Sequence, residues 1–111
     1  MENKIDKKNW TIADDMYILQ EIIYRCRHVR DKKRNNRLDI MESKSEFITR
    51  VAQEIGVKEN SLEMRIKNQL AFLTDGKEGL KNYALNSELA VTKYLRKYSV
   101  MHLYMYIKSI I

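Results

Sequence analysis

VAQEIGVKENSLEMRIKNQLAFL, residues 51–73, holds two runs of helical periodicity with one interruption. Val51, Ala52 and Ile55 form an apolar stripe that stops at Gly56, a residue that ends helices because it takes φ > 0 without a steric penalty. A short polar turn follows. Asn60-Ser61-Leu62-Glu63 then reads as a helix start, in which Asn60 or Ser61 caps the open N–H groups and Glu63 completes a capping box with Asn60. In this second helix Leu62, Ile66, Leu70 and Leu73, with Gln69 in part, fall on one face at ~100° per residue. The opposite face carries Asn60, Ser61, Met64, Lys67 and Asn68, with Arg65 at its edge. Such a surface suits the major groove of DNA, where Arg and Asn make bidentate contacts with guanine and adenine edges. The plain alternative is a packed helix pair whose polar face meets water.

Around this pair the chain reads as all-α. It has 111 residues, no proline and only three glycines. Helix formers such as Leu, Ile, Lys, Glu and Met abound. That length gives one domain, able to bury roughly 65% of its unfolded surface in one modest core. The expected architecture is a flexible leader over residues 1–9, a helix–turn–helix three-helix core over 10–83, and a C-terminal helix or apolar extension over 84–111. The single cysteine, Cys26, excludes an internal disulfide and fits a reducing cytoplasm. The leader MENKIDKKN has no apolar signal region, and no run of 18 apolar residues offers a membrane span.

Charge is concentrated rather than spread. From Arg25 to Arg37 there are seven Lys or Arg and one acid, Asp31, so this segment alone carries the whole net charge of +6. Concentrated positive charge implies an anionic partner. RDKKRNNR, residues 30–37, lacks periodicity and reads as a loop or frayed helix end. Its functional reading is a phosphate clamp of Arg30, Lys32, Lys33, Arg34 and Arg37, with Arg27 and Asn60 alongside. Such contacts give affinity and position but little sequence choice. The bland reading is a solvated charged loop.

In chain order, Trp10 reads as a core anchor and Thr11 as the cap of a first helix, with Asp14 and Asp15 in its dipole-favoured first turn. Ile18, Leu19, Ile22, Ile23, Cys26 and Val29 mark its buried stripe. Ser43 and Glu46 form a capping box ahead of Phe47, Ile48 and Val51. TDGKEGL, residues 74–80, is a turn that lacks the P-loop pattern, which excludes nucleotide binding there. Ser87 reads as the cap of a last helix. Beyond it, SVMHLYMYIKSII has both helical spacing and β-propensity; helix is preferred because no breaker separates it from Ser87. This tail carries more apolar surface than one small core needs. Tyr98, Leu103, Tyr104, Ile107 and Ile110 are therefore candidate contacts for a homodimer or another partner.

From Trp10 to about Tyr83 the sequence resembles a small helical module found ahead of nuclease domains in HNH-type and other restriction endonucleases. Trp10-Thr11 matches its start and Gly56 the stop of its second helix. Ser61, Leu62, Arg65 and Asn68 match a third helix of form S-V-x-x-K-x-x-N, with Arg for Lys. Gly76, Gly79 and Leu80 match its closing G-x-x-G-L turn. The resemblance implies a helix–turn–helix in which Ser61, Arg65 and Asn68 face nucleic acid. The long basic run and the apolar tail depart from the pattern, and no nuclease domain follows, so the likeness favours binding and not cutting.

Nothing in the sequence points to catalysis. His28 and His102 stand far apart, no metal-ligand spacing occurs, and no nucleophile, base and oxyanion donors gather. His28 reads as a solvated side chain beside the basic run and His102 as structural. The expectation is a non-catalytic, cytoplasmic DNA-binding protein without cofactor, metal or small-molecule substrate. Ser61, Met64, Arg65, Lys67 and Asn68 would address bases in double-stranded DNA. The rival expectation is a protein-directed inhibitor or adaptor, for example one that occupies a host nuclease.

Overall fold

The computed structural model describes residues 9–34, 42–80 and 82–111, and for residues 28–34 the helical backbone alone. The fold is all-α. Its elements are α1 (Ile12–Arg34), α2 (Lys44–Ile55), α3 (Glu59–Leu73), α4 (Leu85–Tyr94) and α5 (Val100–Lys108). The expected leader over residues 1–9 lies outside the described residues except for Asn9.

The helix starts in the first half follow local chemistry. The Thr11 N–H donates to Asp14 Oδ2 at 3.0 Å and the Asp14 N–H returns a bond to Thr11 Oγ1 at 3.1 Å. Ser43 and Glu46 do the same for α2, at 2.8 and 3.1 Å. α2 ends where Gly56 takes φ 87° and its N–H closes on the Ala52 carbonyl at 2.8 Å. α3 departs from expectation: it begins at Glu59, two residues ahead of a helix capped by Asn60, with Lys58 at the cap and no side-chain cap bond. The Asn60 capping box therefore does not form, because Asn60 is already inside the helix.

One apolar core joins all five helices. Ile18, Leu19, Ile22 and Ile23 of α1 meet Phe47, Ile48, Val51 and Ala52 of α2 and Leu62, Ile66 and Leu70 of α3. Polar pairs set α2 antiparallel to α1: Tyr17 donates to Glu54, and Arg50 donates to Glu21 and Glu42. α4 and α5 complete the same core instead of extending beyond it. Leu103 and Ile107 are fully buried and Ile110 is 4% exposed, so their assignment to a dimer or partner contact is overturned. Each such side chain gives roughly 1.5–3 kcal/mol on burial, which the monomer already uses.

The expected continuous helix from Ser87 to the tail is broken. α4 stops after Tyr94, the chain turns through residues 95–98, and Ser99 restarts it by accepting the His102 N–H at 3.1 Å. Ser87 caps nothing; it is the third residue of α4 and fully buried. The basic run also differs from expectation, since α1 stays helical through Arg34; Arg37 lies outside the described residues.

The 74–80 turn locks α3 to α5. Thr74 Oγ1 accepts the Glu78 N–H at 3.0 Å, and the Glu78 carboxylate receives Tyr104 Oη at 2.6 Å and Lys108 Nζ at 2.9 Å. These two bonds hold the Glu78 pKa below the ordinary carboxylate value. Gly79 passes so close to α3 that a Cβ would sit 2.5 Å from the Lys67 carbonyl oxygen, whereas one on Gly56 would meet open space. Both have positive φ. Gly56→Ala should cost about 1–2 kcal/mol from the left-handed backbone alone. Gly79→Ala should cost ~1–3 kcal/mol more from the added clash. Urea unfolding of the two variants checks this; equal losses would contradict the close approach.

Candidate nucleic-acid interface

The apolar face expected of α3 forms, and Asn60 and Met64 are exposed opposite it, but Arg65, expected at the edge of the outward face, is not part of that face. α3 turns Arg65 and Gln69 inward between Leu62 and Leu70. Arg65 is 8% exposed and makes a two-pronged contact with the fully buried Asp15 of α1, Nε to Oδ1 at 3.0 Å and Nη2 to Oδ2 at 2.6 Å. Gln69 Nε2 and Ser87 Oγ each donate to the same Asp15 Oδ1, at 3.1 and 3.0 Å. The half-buried Trp10 ring covers the guanidinium, 5.2 Å from its centroid. Arg65 is thus overturned as a base contact. Withdrawing it toward a groove would strand a buried carboxylate, which costs several kcal/mol.

Asn68 is corrected for a related reason. Its Nδ2 donates to the Met64 carbonyl at 3.0 Å and its Oδ1 accepts the Ala84 N–H at 2.8 Å, so the amide edge that would read adenine is engaged at both ends. Ser61 and Lys67 are half-buried, while Asn60 and Met64 are exposed. Glu59 and Glu63 are exposed on the same helix. Two carboxylates against one ammonium do not invite a polyanion.

Cations and aromatic rings gather elsewhere, between α1 and α4. These helices run side by side in one direction: Asn86 donates to the Trp10 carbonyl at 2.7 Å, Ser87 meets Asp15, and Arg27 Nη1 donates to Tyr98 Oη at 3.2 Å. Arg27 in the second half of α1 therefore lies beside the turn that follows α4, and Lys93, Arg96 and Lys97 are exposed at that end of α4 and in the turn. No acidic residue follows Glu88 in the sequence. A groove of about 440 Å³ opens here, lined by Gln20, Ile23, Tyr24, Arg27, Tyr94, Lys97 and Tyr98.

Rings line the groove and continue beside it onto α5. Tyr24 is 60% exposed. Tyr94 and Tyr98 lie 6.4 Å apart at 26°, Tyr98 meets Tyr106 edge-on, and the exposed His102 stacks on Tyr106. Lys97 Nζ sits 6.0 Å from the Tyr98 ring centroid. Burial raises the Tyr94 pKa, and its hydroxyl donates to the Met16 carbonyl at 3.2 Å. By contrast Arg50, on the α2 side, is spent internally on Glu42, Glu21 and Glu54.

Of the expected phosphate contacts, Arg27 lies in this groove and Asn60 stands apart on α3. Arg30, Lys32, Lys33 and Arg34 belong to the last turns of α1, and their side chains, like that of His28, lie outside the described residues. Of the expected partner contacts, Tyr98 and Tyr104 are half-buried and bonded within the chain. Tyr24, Tyr94 and Lys97 escaped the sequence reading. The available signal was the acid-free stretch after Glu88, with tyrosines set among cations. Among the described residues no His, Cys, Asp or Glu group could hold a metal ion, and no helix is long and apolar enough to cross a membrane. Comparisons with family models, curated proteins and solved structures return no match.

The buried pair has a measurable signature. Asp15→Ala, which leaves Arg65 unpaired, should cost about 3–5 kcal/mol. The double variant Asp15→Leu/Arg65→Met should lose clearly less than the sum of its single changes, because no charge is left stranded. Chemical denaturation of the four-protein cycle reads the coupling; additive losses would mean that the two groups do not depend on each other.

Proposed function

We propose that the protein is a non-catalytic DNA-binding protein that holds duplex DNA by its phosphate backbone, through the second half of α1 and the adjoining end of α4. One observation carries this reading: the most basic stretch of the chain continues as helix to Arg34, and at its start Arg27 shares a groove with Lys97. Eight residues of helix from Arg27 to Arg34 span about 12 Å, a length that can follow more than one phosphate. Binding of this kind releases counterions and selects sequence weakly. It suits a regulator that occupies DNA more than one that reads a long site.

The alternative, a protein-directed inhibitor or adaptor, draws on a different surface. Val100, Met101 and Met105 of α5 and Leu85 of α4 are more than half exposed. A nuclease-resistant stoichiometric complex with one protein, lost on Met101→Ser/Met105→Ser, would favour it.

For the DNA reading, a salt titration of affinity for a blunt duplex decides. Replacing Arg30, Lys32 and Lys33 by Gln should lower the slope of log affinity against log salt by about 2.7. Lys67→Ala on α3 should change it little. A wild-type affinity that ignores salt would overturn the proposal.

A further inference from the structure

Beyond the DNA-binding reading, and independent of it, we propose that the groove between α1 and the end of α4 is a binding site for a small ligand made of a flat ring and one anionic group. Arg27 and Lys97 take the anion, and Ile23, Tyr94 and Tyr98 take the ring. One juxtaposition supports this: a guanidinium held in place beside an apolar floor, in a cleft that, among the described residues, no acid lines.

Arg27 anchors the site. Its Nη1 donates to Tyr98 Oη at 3.2 Å, which fixes the plane of the guanidinium. Among the described residues it forms no ion pair, and its Nε–Nη2 edge makes no hydrogen bond. That edge is the two-pronged fork that pairs with a carboxylate or a phosphate. Lys97 lines the same groove, has no carboxylate partner among the described residues, and adds a second, more flexible charge. Gln20 is exposed on the same wall and offers an amide donor for an anionic oxygen. One anionic group placed here meets donors from α1 and from the turn after α4.

The apolar walls select a ring. Ile23 is 5% exposed and closes the bottom of the groove. Tyr94 and Tyr98 are half-buried, 6.4 Å apart and 26° from parallel, so together they form a flat side. Their hydroxyls are committed to the chain: Tyr94 Oη donates to the Met16 carbonyl and Tyr98 Oη accepts from Arg27. The wall is thus held in one shape before any ligand arrives, which lowers the ordering cost of binding. A flat ring covers such a wall with more contact than a branched chain. The space of about 440 Å³ falls within the range of small-molecule sites. An inorganic anion would use the cations and leave the wall bare. A neutral ring would use the wall and leave both cations unmatched.

The test titrates the full isotope-labelled chain and follows its backbone amide resonances with four probes: indoleacetate, thymidine monophosphate, indoleacetamide and acetate. Indoleacetate or thymidine monophosphate should bind saturably, with the largest shifts at Ile23, Arg27 and Lys97, and the tighter of the two identifies the anionic group. Indoleacetamide, which lacks the charge, and acetate, which lacks the ring, should each bind at least about tenfold more weakly. Arg27→Gln should weaken the tighter ligand about tenfold, and Lys97→Gln about threefold. Tyr98→Phe keeps the ring but removes the hydroxyl that positions Arg27, and should lose about threefold. Lys93→Gln, which removes a neighbouring charge outside the groove, should stay within about twofold. If neither ring-bearing anion gives a saturable shift, the site assignment falls. It falls also if Lys93→Gln weakens binding as much as Arg27→Gln, which is the mark of diffuse charge attraction. No nucleic acid enters this titration, so its failure leaves the DNA reading standing, and a duplex affinity that ignores salt leaves the ligand site standing.

Discussion

The Asp15 carboxylate fixes how three helices meet. It sits on the apolar stripe of α1, three residues before Ile18, and is fully buried. A lone carboxylate there would cost several kcal/mol. Arg65 and Gln69 of α3 and Ser87 of α4 supply the compensating bonds. Apolar packing by itself tolerates rotations and slips that conserve volume. A rotated α3 or a shifted α4 would instead leave buried donors and acceptors unpaired, at about 1–3 kcal/mol each. The network thus selects one register. That register sets α4 parallel to α1, which in turn brings Tyr98 to Arg27 and opens the groove beside Tyr24.

The features legible in the sequence were those encoded within four or five residues. The Ser43–Glu46 box, the Thr11–Asp14 cap and the left-handed stop at Gly56 each depend on near neighbours, and each is present. The apolar stripes of α1, α2 and α3 were legible for the same reason. Arg65 was not, since its partner is 50 positions away. Even so, a signal existed. Asp15 precedes Ile18 and Leu19 by three and four residues, and Arg65 stands three after Leu62 and four before Gln69. A negative and a positive residue, each on an apolar stripe, are what a buried ion pair looks like in one dimension. Reading Arg65 as the edge of a polar face gave weight to its charge and too little to its phase.

The tail misled for a different reason. Leu103, Ile107 and Ile110 were surplus only against a three-helix core. Counted as part of a five-helix core they are needed, and the Glu78 clasp with Tyr104 and Lys108 pins α5 where they are buried. The break after Tyr94 carries no glycine or proline. Its marker is Ser99, whose hydroxyl offers the next helix a cap that a continuous helix would waste.

The distribution of charge follows from the same packing and bears directly on what the molecule can hold. Among the described residues Glu21, Glu42 and Glu54 surround Arg50, and Glu59 and Glu63 are exposed on α3. Lys93, Arg96 and Lys97, without acidic neighbours in sequence, are exposed at the end of α4 and in the turn after it, and Arg27 of α1 lies in the same groove as Lys97. A dimension of roughly one Debye length, ~8 Å at physiological salt, limits how far exposed charges act together. Spread evenly over the surface, a net charge of +6 would be locally weak. Arg27 and Lys97 instead line one cleft together with Tyr24, Tyr94 and Tyr98. The buried Asp15 contact, by choosing the direction of α4, brings Lys97 and Tyr98 to the same groove as Arg27.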